Sequence, residues 1–476
     1  MKQHNLPLVL ATAEANPVRE RRHWTVMCIA RGMGVAFLCV VLALVTAPAA
    51  LGQGFAYEGR SVGGIYTDAA GHLKNAQVDD IGELARVRAA ALAPVAPGLA
   101  EAASLRKVSL KGLEAAIADA LEAGGQLPDE VRYLAGLQQI HYVLVYPEHN
   151  DIVLVGPGEG WKVDARGNIV GVTTGRPVLL LDDLLVALRT ARGAAQQAIS
   201  CSIDPTGEGL QRLRAHVSKL RTIGNPEQTA RGIEETLGPQ QVSITGVPPT
   251  SHFARVMVAA DYRMKRLAMG FEPAPVAGLP SFLSMVPASG RGMSNMLPRW
   301  WLEPKYDPIL RDPEGLAWEL RGARVVAMTE EDFLTNTGTK QQTGKASPAA
   351  ERWAENMTAR FDELAVAEPI FGQLRNCMEL AVVSALIVKE NLTEKAGFSM
   401  PLLTGAQGLK PDEFFAPKQV DTQASLMKRG RNWVISASGG VLMNSWAIAD
   451  RIESDGTPAT LRAAAAPATQ NHWWWN

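Results

Sequence analysis

The stretch "IHYVLVYPEHNDIVLVGPGEGW", residues 140–161, decides the fold class. Two runs rich in β-branched and aromatic residues, 140–146 and 152–155, flank a Pro-Glu-His-Asn turn. Strands joined this tightly must be antiparallel, because a parallel crossover needs a dozen or more residues. "NIVGVTT" (168–174) adds a third strand. Upstream, Leu110, Leu113, Ile117 and Leu121 recur at helical spacing and stop at Gly124-Gly125. Pro128, with Asp129 and Glu130 behind it, opens a second helix.

Downstream, "LDDLLVALRTAR" (181–192) reads as a helix with Asp182 and Asp183 in its first turn, where acids suit the helix dipole. "ISCSIDP" is a short strand, followed by helices over 208–220 and from Pro226 to Gly238. The strand "VSITGV" (242–247) then opens a second domain, with a helix starting after Thr250-Ser251. "DPILR" and "LAWELRGARVVAM" form an antiparallel pair, and residues 347–391 form two helices. The second of these, "FGQLRNCMELAVVSALIV", is apolar enough to be buried. "NWVISASGGVLMNSWAIA" suggests a hairpin about Ser438-Gly439-Gly440. The expectation is an α+β fold: helices layered on mainly antiparallel sheet, in two domains (105–238 and 239–450) after an N-terminal signal segment. An Ala/Gly/Pro-rich spacer over 53–104 precedes them, and a low-complexity tail over 451–476 ends in three tryptophans. Those tryptophans either fray or rest in a membrane interface.

The N-terminus carries a targeting signal. Basic residues precede an 11-residue apolar core, "VAFLCVVLALV" (35–45), and the small residues of "TAPAALGQG" follow it. That order reads as a secretory signal peptide; the core is short for a permanent anchor, which needs roughly 20 apolar residues, and a retained N-terminal membrane anchor is the alternative. The charged flank is long, so Met27 is an alternative start. Cleavage after Gly52 removes five of 47 basic and two of 48 acidic residues. The remaining 42 bases and 46 acids give a formal charge of -4. Only Cys201 and Cys377 then remain, which allows one disulfide or two buried thiols.

At 476 residues, 47% hydrophobic and 20% charged, the chain has the balance of a globular protein. A formal net charge of -1 excludes a general pull toward nucleic acid, so any basic site is local. The local candidate is the helix around "ADYRMKRLAMGFE" (260–272). Phe253, Val256, Met257, Ala260, Met264, Leu267 and Phe271 fall on one stripe, and Arg255, Asp261, Arg263, Lys265 and Arg266 fall off it. This is an amphipathic helix with a solvated basic face, and Arg255, Arg263 and Arg266 are its anion-binding candidates.

Enzyme motifs fail one by one. "GPGEG" follows a strand but runs into no helix, as a dinucleotide loop must, and reads as a tight turn. "GTKQQTGKAS" misses the P-loop spacing and its magnesium-binding hydroxyl. Two S-x-x-K matches lack companions, and no G-x-S-x-G occurs. The histidines are scattered, with no H-E-x-x-H or C-x-x-C, so neither a metal site nor a cofactor is expected. Polar residues left for a cleft are Glu159, Arg176, Asp182 and His252.

The wording of "LPDEVRYLAGLQQIHYVLVYPEHNDIVLVGPGEGW", "GVTTGRPVLLLDDLLVALR", "CSIDP", "ADYRMKRLAMG" and "PIFGQLRNCMEL" resembles the exported "domain of unknown function 1598" family typical of planctomycete bacteria. The resemblance implies a Gram-negative-like envelope location and supplies no catalytic residue. The leading expectation is thus an exported cell-envelope protein, non-enzymatic and structural or partner-binding. Its partner would be an envelope protein or polymer, with membrane contact only through the signal segment or tryptophan tail. The alternatives are a periplasmic hydrolase without a familiar motif and an anion- or small-molecule-binding module. N-terminal sequencing of the exported protein should find a new terminus near residue 50 or 53; a terminus at Met1 or Met27 would remove the cleaved-signal reading.

Overall fold

The computed structural model describes residues 61–76, 83–219, 225–286, 296–322, 324–334, 340–342, 344–406, 408–424, 438–465 and 472–476. The signal segment expected over 1–52 lies outside them. The hairpin is present: Tyr142–Tyr146 and Asp151–Gly158 pair antiparallel, from Tyr142↔Val155 to Tyr146↔Asp151. Asn150 closes the turn at φ 52°, a left-handed conformation that asparagine tolerates better than most residues. Val143, Val145, Ile152 and Leu154 join the main core on one face. Leu144, Tyr146, Val153 and Val155 join a smaller cluster with Ala317 and Trp475 on the other. Both faces are covered, which is why the two runs are continuously apolar instead of alternating.

The "GPG" of residues 156–158 continues the second strand and is not the expected tight turn. A Cβ on Gly156 would stand 2.0 Å from the Gln139 carbonyl oxygen, so glycine here permits close backbone approach.

The fold is α+β, with two seven-stranded sheets. The hairpin sheet runs Ile452–Ser454, Ile309–Arg311, Ala317–Glu319, Tyr142–Tyr146, Asp151–Gly158, Ala103–Ser109, Trp474–Trp475. The second runs Lys340–Gln342, Arg324–Leu334, Met296–Lys305, Ser438–Met443, Ile199–Asp204, Gln240–Thr245, Gln419–Val420. Neighbours in both are antiparallel except Ile309–Arg311 with Ile452–Ser454 and Met296–Lys305 with Ser438–Met443. Ser438-Gly439-Gly440, expected at a hairpin turn, opens the strand Ser438–Met443, and the first arm expected for that hairpin lies outside the described residues. A Cβ on Gly440 would meet the Cys201 carbonyl oxygen at 1.8 Å, so this glycine also marks a close strand neighbour.

The boundary expected at 238/239 does not divide the fold. Residues Tyr57–Asn476 form one unit, and each large sheet takes strands from both sides of that position. Short connections within each half concealed the long-range pairings, which local spacing cannot encode. The spacer likewise contains structure: Ile65–Thr67 pairs with Leu73–Asn75, and Ala103–Ser109 joins the hairpin sheet.

Four helices matter most: α1 (Leu110–Glu122), α2 (Leu181–Ala194), α3 (His252–Ala268) and α4 (Pro369–Lys389). Among the described residues α4 alone is long and apolar enough to cross a membrane, with a mean hydropathy of 1.3. Yet 94% of that window is buried inside the protein, and α4 packs against α2 and α3 as a core helix. Part of the α3 face expected to be basic and solvated is buried too, with Arg255 and Lys265 inside and Arg263 and Arg266 half-buried. Asp261 is 0% exposed and Lys265 8%, because the second sheet packs on that side. Lys265 Nζ donates to Asp261 at 3.0 Å and to the Ile203 and Gly439 carbonyls at 2.7 and 3.3 Å, which offsets the cost of burying a charge.

The C-terminal tryptophans are not a frayed tail. Trp474 and Trp475 pair with Val108 and Lys107, extending the hairpin sheet past Ala103–Ser109. The Ser109 amide donates to the Trp473 carbonyl at 2.9 Å, and buried Arg106 donates from Nε to Asn476 at 2.6 Å. Trp475→Ala is expected to lower stability by about 3 kcal/mol, the usual cost of a large aromatic truncated in a core. Chemical denaturation checks this; an unchanged midpoint would show that the tail adds nothing to the fold.

Candidate functional site

The N-termini of α2 and α3 meet at a cleft of about 670 Å³. Ser251 caps α3 by accepting from the Ala254 amide at 3.1 Å, which fixes His252 as the first helical residue. His252 Nδ1 lies 3.0 Å from both oxygens of Asp183 in the first turn of α2. Both side chains are more than nine-tenths buried, at 7% and 3% exposure. The buried thiol of Cys377 on α4 is near enough to Asp183 to feel its charge. The Phe414 ring meets the imidazole edge to face, with centroids 5.1 Å apart. With Nδ1 donating to a carboxylate, Nε2 is the nitrogen left for other chemistry. His252 and Asp182 both line the cleft, together with Arg132, Tyr133, Lys410 and Asp412.

The electrostatics set these groups apart from ordinary surface residues. Burial raises the Asp182 carboxyl to about 6, and the nearby negative charges of Asp183 and Asp412 add to the effect. For His252, burial opposes the charge, but the Asp183 carboxylate and its hydrogen bond, aided by Asp182, outweigh it and raise the imidazole pKa. Cys377 moves the other way for reaction: burial and the Asp183 charge hold its thiol far from ionisation, so it is inert.

Of the four polar cleft candidates, the structure brings Asp182 and His252 together. Glu159 is buried elsewhere, accepting from Gln138 at 2.8 Å, from the Thr174 hydroxyl at 2.5 Å, and from the Thr173 and Thr174 amides at 2.9 Å each. Burial opposes its charge, yet the threonine hydrogen bonds hold it at about 2. Arg176 is half-buried, and its carbonyl accepts from the Gly171 amide beside that network. Glu159 therefore ties a loop in place.

The three anion-binding candidates are engaged internally. Arg255 is 3% exposed and donates to the Ile65 and Phe415 carbonyls at 3.0 and 2.8 Å. Arg263 pairs with Glu272 and, at 2.9 Å, with Glu368; Arg266 pairs with Glu272 and Gln423. Acids on neighbouring loops pair with Arg263 and Arg266, while Arg255 is held by carbonyls. Arg263 borders a smaller recess of about 370 Å³ that shares Ser61, Arg88, Gly167 and Asn168 with the main cleft. Cys201 and Cys377 are separate buried thiols, so the allowed disulfide is not formed. Among the described residues no three His, Cys, Asp or Glu side chains are grouped to hold a metal ion.

Sequence reasoning missed Asp183 and the 408–414 loop. Asp183 resembles any acid at a helix start, and its pairing with a histidine 69 positions away has no local signal.

Residues 201–282 match a family described as "Protein of unknown function (DUF1598)", in agreement with the resemblance read from the sequence. No curated protein and no solved structure matches the chain.

Asp182 gives the cleft a pH signature. A carboxyl whose folded pKa exceeds its unfolded value near 4 stabilises the fold at low pH and loses that contribution as pH rises from about 4 to 6. Asp261, also raised to about 6 chiefly by burial, adds a slope of the same sign. Asp182→Asn should remove its share, leaving the variant more stable than wild type at pH 7 by up to about 3 kcal/mol. Urea denaturation between pH 4 and 8 reads this directly; parallel curves for the two proteins would refute a raised Asp182.

Proposed function

We propose that this chain is an exported cell-envelope protein that binds a small polar ligand in the cleft between α2 and α3. The observation that carries this reading is the buried Asp183–His252 hydrogen bond at the cleft, beside Asp182. Titratable groups held out of water beside a concave, partly apolar space are what ligand sites use to orient a polar molecule. The N-terminal targeting pattern supports export. A partner-binding scaffold has less support, because it needs a contiguous apolar patch. The large exposed apolar side chains of the described residues, among them Val87, Met328, Phe415 and Leu442, come from different elements.

Thermal-shift measurements against a panel of sugars, amino acids and dicarboxylates should find a compound that raises the unfolding temperature. The shift should vanish in Asp182→Ala and His252→Ala. A panel without effect, or a shift that both variants retain, would count against the cleft.

A further inference from the structure

The same cleft brings together two proton-transfer groups of opposite assignment. His252 is anchored through Nδ1, so its ring is oriented, Nε2 is the nitrogen that Asp183 does not engage, and the residue lines the cleft. Asp182 is the preceding neighbour of the anchoring carboxylate, lines the cleft and interacts electrostatically with the imidazole. Arg132, which stands 3.8 Å from Asp412, and Lys410 line the same space and place positive charge beside it.

Resting on the ligand-binding reading, we infer that this cleft hydrolyses an acyl bond, a carboxylic ester or amide, with Asp182 as general base and His252 as general acid. Asp182 accepts a proton from water as the water oxygen bonds to the carbonyl carbon. The carbonyl π electrons move onto oxygen, where Arg132 and Lys410 supply the opposing charge. As the intermediate collapses, the bond to the leaving oxygen or nitrogen breaks, and the imidazolium gives that atom its Nε2 proton. Asp182 then returns the water-derived proton to the imidazole, directly or through solvent, and both groups are reset. Ester and water become acid and alcohol, and no other reactant is required. Asp183 is a positioning residue: it fixes the tautomer and sustains the imidazolium.

The protonation states match the roles. A base titrating near 6 is ionised at neutral pH and still basic enough to accept a proton, while a histidine whose pKa is raised keeps its acid form available. Around Asp182 stand Asp183, Asp412, His252 and Arg189. Around His252 stand Asp183, Asp182 and, opposing the charge, Arg255.

Two acetate esters separate the roles, assayed on the full exported protein. p-Nitrophenyl acetate has a leaving group that needs no acid, whereas benzyl acetate has one that does. Asp182→Asn should lower turnover of both by about 100-fold, within the usual range for general acid–base catalysis. His252→Gln should lower benzyl acetate turnover by a similar factor and p-nitrophenyl acetate turnover by less than about 5-fold. The wild-type pH profile should be a bell with its acid limb near 6, and Asp183→Asn should move the alkaline limb to lower pH. Circular dichroism of each variant identifies loss of fold, and any misfolded variant is replaced by Asp182→Glu or His252→Asn. Turnover of neither ester above the buffer rate, or turnover that folded variants leave unchanged, overturns the inference. The thermal shift with a small polar ligand is read on the same samples. No turnover with that shift retained removes hydrolysis alone; losing both removes the cleft as a site.

Discussion

The carboxylate of Glu379, buried in the middle of α4, is the tie on which the architecture depends. It accepts from the Ile140 amide at the entrance to the hairpin and from Arg324 at the start of the longest strand of the other sheet. One side chain thus joins the core helix to both sheets. Burial pushes its pKa up, while Arg324, the Ile140 amide and Arg375 pull against that shift. Such a pair is a weak source of net stability compared with apolar packing, but removing either partner leaves an uncompensated charge in the core. Its contribution is register. Arg324 sits at φ 68°, a conformation costly for a side chain with a Cβ, and it holds that geometry while donating to Glu379 and the Ile140 carbonyl.

From that anchoring the cleft follows. α4 presents Cys377 to Asp183, and α2 and α3 pack against α4 with their first turns beside each other. Two helix N-termini and a hydrogen-bonded imidazole favour negative charge at one place. Asp183 occupies that place, hydrogen-bonded to His252. Asp182, one residue along, faces the cleft near the same charge and is pushed upward. Adjacent acids on a helix point about 100° apart, and here this separates a structural carboxylate from a cleft carboxylate.

Much of the secondary structure was legible, and for particular reasons. The hairpin follows from two apolar runs and a four-residue turn; the start of α3 follows from Ser251. What was illegible depends on contacts distant in sequence. Lys265 and Asp261 have the spacing of a solvated i,i+4 pair, and only the Ile203 and Gly439 carbonyls, contributed by strands elsewhere, make the pair an interior one. Gly439-Gly440 has the composition of a turn, but its strand neighbours require the absence of side chains. Within the site, Asp182 and His252 were named from the sequence as polar cleft residues. Their partner Asp183 was named only as a helix-start acid, because its second role exists only once α3 is docked.

The tryptophan strand at the C-terminus imposes an order of events. Arg106 and Asn476, bonded to each other, are 370 positions apart. Until Trp474 and Trp475 pair with it, the strand Ala103–Ser109 presents unpaired amides and carbonyls along one edge. Closing so long a loop is slow relative to local pairing. The hairpin sheet is therefore open at one margin until residues 474–475 dock, so the strand that closes it in space is among the last to join it in time.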